Sequence, residues 1–142
     1  MSTILTLLRD SRTIAVVGLS ADCGRPSHVV AKYLQEHGYR IVPVNPKYPQ
    51  VLGEKSYPDL KSIPFPVDLV DVFRKSQDCV PIAHDAAAIG AKALWLQIGV
   101  INHEAARIAE AGGLAVVMDR CIEIEYARLL DSLNLEKHDL DR

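Results

Sequence analysis

The residues best suited to chemistry lie in one short stretch: Gly18, Ser20, Gly24, Arg25 and Ser27, set between the apolar run Ile14 to Val17 and a helical pattern that opens at Pro26. A buried strand, a small polar turn and a helix N-terminus, in that order, aim free backbone N–H groups and the positive end of a helix at one point. Such a point suits a phosphate. Ser20 and Ser27 add hydroxyl donors, and Arg25 adds a charge-assisted fork. The spacing is not G-x-G-x-x-G, because the next glycine after Gly18 is Gly24, so the strict dinucleotide fingerprint fails. A solvated turn in which Ser27 serves only as a helix cap is the plain structural alternative.

A catalyst needs a nucleophile or base held by a partner, and the candidates here are isolated. His28 follows the polar loop but has no carboxylate near it in sequence. His37 and His84 fall within or at the end of helical patterns, His103 stands at a helix start beside Glu104, and His138 is in a polar tail. The three cysteines, Cys23, Cys79 and Cys121, are odd in number and widely spaced, which predicts free, reduced thiols without a zinc or redox pair. Cys23, just before a helix N-terminus and two residues from Arg25, is expected to be the most reactive, and Cys121 to be packing. No complete catalytic set emerges, and the expectation leans away from an enzyme.

The elements that must position these residues follow from periodicity. Apolar runs predict strands at Thr13 to Val17, Arg40 to Val44, Val67 to Phe73, Ala93 to Ile98 and Leu114 to Val117. Helical spacing predicts a short helix from Ser2 to Asp10, one from Pro26 to Gly38, and others over Gln77 to Gly90, His103 to Ala111 and Ile122 to Leu133, with a frayed tail from Glu136 to Arg142. The segment from Val51 to Pro66 is rich in turn signals, with room for one helical turn near Asp59 to Ser62. Strands alternating with helices predict an α/β, Rossmann-like, doubly wound parallel five-stranded sheet in one domain spanning 1–142. The expected strand order is 3-2-1-4-5, which puts the ligand crevice between strands 1 and 4, beyond the carboxyl ends.

That placement nominates three further loops. After strand 2, where a nicotinamide dinucleotide site usually has Asp or Glu, stand Asn45, Pro46 and Lys47. An amide plus a cation suits a phosphorylated ribose, as in coenzyme A or NADP. After strand 3, Phe73 could stack on a base and Arg74 reach a phosphate. After strand 4, Gln97 and the backbone of Ile98 could bind the amide-rich arm of a ligand, with a tight turn at Gly99 and Asn102 as the next helix cap.

Composition narrows the class. With 142 residues, a net charge of -2 and 49% hydrophobic residues, the chain is expected to be a cytoplasmic globular domain. It has no field to gather nucleic acid or an anionic membrane surface and no long apolar run for a membrane span. The N-terminus does not read as a secretion signal.

Seven short motifs occur in register: VGLS at Val17 to Ser20, R-x-S at Arg25 to Ser27, GY at Gly38 and Tyr39, PVNP at Pro43 to Pro46, VFR at Val72 to Arg74, WLQ-x-G at Trp95 to Gly99, and DRC at Asp119 to Cys121. In these the chain resembles the small, single-domain coenzyme A-binding proteins whose fold is similar to the nucleotide-binding domain of the succinyl-CoA synthetase α subunit. The resemblance implies coenzyme A contact by Gly18, Leu19, Ser20, Ala21, Lys47, Leu96, Gln97 and Ile98, supported by Arg25, Ser27, Asn45 and Arg74. Cys23 departs from it, standing where the family often has proline. The synthetase's second domain, with its phosphorylated histidine, has no counterpart, so ligase activity is not expected.

The sequence thus predicts a chain that binds coenzyme A or an acyl-CoA as a non-catalytic carrier, sensor or partner protein, alone, as a homodimer or with another protein. An NADP-dependent oxidoreductase and a ligand-free interaction module are the alternatives.

Overall fold

The computed structural model describes residues 3–134. The chain runs α1 (Thr3–Asp10), β1 (Thr13–Val17), α2 (Pro26–Glu36), β2 (Arg40–Val44), a small hairpin of β3 (Gln50–Val51) and β4 (Glu54–Lys55), β5 (Leu69–Val72), α3 (Cys79–Ala88), β6 (Ala93–Leu96), α4 (His103–Ala111), β7 (Ala115–Val117) and α5 (Ile122–Arg128). The last helix stops short of the expected Leu133: it breaks at Leu129 before helical turns resume over 130–134. Ser2 and the tail expected from Glu136 to Arg142 lie outside the described residues.

All five long strands pair in parallel, in the order β2-β1-β5-β6-β7. The Rossmann-like fold is as expected, but its strand order is not. Counting only these long strands in chain order, it is 2-1-3-4-5 rather than 3-2-1-4-5. The cause lies on the outer edge of β2. Pro43 offers no N–H there, and its carbonyl accepts from the Tyr57 N–H at 3.0 Å, while the Asn45 N–H donates to the Tyr57 carbonyl at 2.9 Å. Tyr57 forms a one-residue bridge to Val44, and Arg40 lies over the Phe65 ring at 3.9 Å. The segment after β2 therefore covers that edge, and β5 crosses over to the free side of β1. Proline in a strand marks an edge, so Pro43 already carried this information. The switch in direction falls between β1 and β5, not between strands 1 and 4.

The strands are apolar on both faces because both are covered. Ala15, Val17, Val70, Val72, Leu94 and Leu96 pack with Cys79, Ala83, Ala86, Ala105 and Ala109 of α3 and α4. Ile14, Val16, Ile41, Leu69 and Trp95 pack with Leu8, Val30, Leu34, Ile122 and Tyr126 of α1, α2 and α5. Parallel pairing brings every carboxyl end to one edge of the sheet. No helix among the described residues is long and apolar enough to cross a membrane.

Candidate functional site

A cavity of about 600 Å³ opens at that edge. Its walls come from the loop after β1, the start of α2, the ends of β2, β5 and β6, and the start of α5. Three of its lining residues are cationic, Arg25, Lys47 and Arg74, and none is acidic. The protein as a whole carries a net charge of -2, so this concentration of positive charge is local.

Gly18 turns the chain out of β1 with φ +88°, and a Cβ there would lie 2.6 Å from the Phe73 carbonyl oxygen and 3.3 Å from Arg74 Nε. The close approach it permits is thus to the end of β5, with the Gly18 N–H donating to the Val44 carbonyl at 2.9 Å. Beyond it, Ser27 does not cap α2. Arg25 is the N-cap residue and no side chain caps the helix, while Ser27 Oγ accepts from the Ser20 N–H at 3.0 Å. The helix start is open toward the cavity, and the serine braces the loop in front of it. His28 braces it too: its Nδ1 meets the Ser20 carbonyl at 2.9 Å, and facing a carbonyl that nitrogen must carry the proton.

Asn45 is buried and its amide is occupied. Nδ2 donates to the Leu19 carbonyl at 3.1 Å, and Oδ1 accepts from the Lys47 N–H at 3.0 Å. It ties the β1 loop to the β2 loop and holds Lys47, where sequence suggested an amide for the ligand. Gln97 has a similar position at β6: its Oε1 accepts from the Ile122 N–H at 3.1 Å, which leaves the amide nitrogen to offer a ligand. The turn after β6 is fixed by Gly99, whose N–H donates to Asp119 Oδ1 at 2.7 Å. Asn102 caps α4 as expected, accepting from the Ala105 N–H at 2.9 Å, and also donates to the Ser76 carbonyl at 2.8 Å.

Residues 12–127 match the family described as CoA binding domain. The chain belongs to that family. It is 41% identical over 124 residues to the uncharacterized protein YneT of Bacillus subtilis, covering 87% of this chain and 92% of that protein. A hypothetical protein from Pyrococcus horikoshii has the same fold with a TM-score of 0.87 and 42% identity, over 89% of each chain. An ADP-forming acetate-CoA ligase of Archaeoglobus fulgidus is 26% identical over 121 residues, which cover 78% of this chain and 18% of the ligase. The chain therefore corresponds to about a fifth of that enzyme.

Within this CoA-binding domain, Gly18, Ser20, Arg25, Ser27, Asn45, Lys47, Phe73, Arg74, Gln97 and Ile98 line one cavity. Leu19 and Leu96 do not line it; both are fully buried in the apolar layers, so only their main chain could meet a ligand. Ala21 is exposed outside it. Sequence reading missed Pro26, Val30, Tyr48, Val100, Cys121 and Ile124, which complete the walls. Ile124 had a signal: it lies on the opposite side of α5 from buried Ile122, an isoleucine with no core to face. Cys121, expected as packing, is half-buried at the cavity wall; Cys23 is exposed outside it, and Cys79 is buried, its thiol pushed up by burial and by Asp78.

Proposed function

We propose that the cavity binds coenzyme A and that the chain is a non-catalytic carrier, sensor or partner protein for it. The observation that carries this reading is a cavity at the carboxyl edge of the sheet with three cations and no carboxylate on its walls, in a chain that belongs to the CoA binding domain family. Coenzyme A presents a diphosphate and a 3′-phosphate, and charge-assisted bonds to Lys and Arg are the strong way to hold both. In the proposed pose the diphosphate lies on the loop between Gly18 and Ser27 and the open start of α2. Lys47 takes the 3′-phosphate, Phe73 and Arg74 border the nucleotide, and Gln97 and Ile98 line the path of the pantetheine arm. Among the described residues no histidine lines the cavity; His28, next in sequence to the lining residue Ser27, is bonded to the backbone, and no base and nucleophile are paired on the walls.

Calorimetric titration with coenzyme A, dephospho-coenzyme A and NADP tests the reading. Coenzyme A binds tightest, and removal of its 3′-phosphate or Lys47→Ala each weakens binding roughly tenfold, with little further loss when the two are combined. Tighter binding of NADP points instead to the oxidoreductase, and no heat with any of the three points to an interaction module.

A further inference from the structure

Four large apolar side chains are strongly exposed among the described residues: Val29, Ile98, Ile101 and Ile124. All four belong to segments that border the cavity, namely the start of α2, the loop after β6 and the start of α5. Ile98 at 60% and Ile124 at 44% exposure line the cavity itself. Exposed apolar side chains scattered singly carry no meaning, but two that line one concave site, with two more on the segments beside it, do. With Val100 and Cys121, Ile98 and Ile124 make an apolar, uncharged end of the cavity; Lys47 comes from the loop after β2, at the far edge of the sheet, and Arg25 and Arg74 come from the loops after β1 and β5, between the two.

The strand order decides which part of a ligand meets that end. In the order β2-β1-β5-β6-β7, Lys47 follows the edge strand β2, whereas Cys121 is drawn over the end of β6, because the Arg120 N–H donates to the Leu96 carbonyl and the Ile122 N–H to Gln97 Oε1; β2 and β6 are three strand spacings or roughly 14 Å apart. The 3′-phosphate and the thiol are opposite ends of coenzyme A. A ligand anchored at Lys47 therefore carries its sulfur toward Ile98, Cys121 and Ile124. A bare thiol there leaves the isoleucines in water, whereas a hydrocarbon chain on the sulfur covers them.

We infer that the preferred ligand is an acyl thioester of coenzyme A with an uncharged, apolar acyl chain, held by Ile98 and Ile124. This rests on the coenzyme A reading above. A dicarboxylic acyl group has no partner at this end, since none of its lining side chains is charged.

The test is titration of the full chain with coenzyme A, hexanoyl-CoA and succinyl-CoA, repeated with Ile98→Ser and Ile124→Ser, both at exposed positions. Hexanoyl-CoA is expected to bind about tenfold tighter than coenzyme A, from partial burial of its methylenes, and succinyl-CoA no tighter than coenzyme A. Either serine variant shrinks the hexanoyl preference severalfold. A second readout places the chain: in a Cys23→Ser background, hexanoyl-CoA slows alkylation of Cys121 more than desulfo-coenzyme A, which has no thiol to consume the reagent, does at equal occupancy. Equal affinity for hexanoyl-CoA and coenzyme A overturns the acyl inference alone, as does a preference that survives both substitutions. Absence of binding by all three ligands overturns the coenzyme A reading with it.

Discussion

Asp71 occupies the middle strand of the sheet, paired in register with Val16 on one side and Trp95 on the other. It has no exposure, and neither carboxyl oxygen has a hydrogen-bond partner among the described residues. Burial pushes its pKa well above the ordinary carboxylate value of 3.8. The neutral acid is the form that fits, so its contribution to stability is complete below the unfolded value and is lost as pH rises through the folded one. The loss amounts to about 1.4 kcal/mol for each pH unit within that window. Asp71→Asn, which keeps the shape and cannot ionise, is expected to remove this fall and to melt higher than the wild type at neutral pH. Denaturant unfolding of both proteins between pH 4 and pH 7 checks it; parallel pH profiles would count against a buried neutral acid. A carboxylate in an otherwise apolar strand was visible in the sequence, but its isolation was not, because partners for Asp71 would have to come from α2, α5 or neighbouring strands far away along the chain.

Between elements, the cavity depends on short polar bridges. Asn45 joins two loops that are 26 residues apart, and Asn102 joins the start of α4 to Ser76. Because Asn45 is buried, Asn45→Ala leaves the Leu19 carbonyl and the Lys47 N–H without their partner, at a cost of about 2 kcal/mol in stability. Coenzyme A affinity is expected to fall as well, through misplacement of Lys47, so the variant should behave as a partial Lys47→Ala in titration and as a destabilised fold in thermal melts. An unchanged melting temperature with lost affinity would instead make Asn45 a direct ligand contact. The same elements explain the error in strand order. Periodicity located each strand to within about two residues, yet nothing in periodicity says which edge of β2 is free. That depended on Tyr57 bridging Val44, a contact made by a segment that reads only as turns.

For the whole molecule the notable feature is charge placement. A chain of net charge -2 gathers Arg25, Lys47 and Arg74 around one opening from three different loops. Attraction to a polyanion through partly exposed cations is screened by salt. Coenzyme A affinity is expected to fall severalfold between about 0.05 M and 0.5 M salt, where the Debye length shrinks to a few Å. Salt-independent affinity would mean that the phosphates are not held by these residues.

Local residue types were enough to determine the strands, the helices, the parallel α/β class and the loop residues at the strand ends, because apolar period and turn chemistry are properties of neighbours in sequence. The tertiary structure alone decided which of those residues face one cavity, which serine and amide groups are taken up in bracing it, and that exposed isoleucines line the same cavity as the three cations. Those outcomes depend on strand order and on hydrogen bonds between loops distant in sequence. Such contacts exist only once the sheet has closed around its two cores.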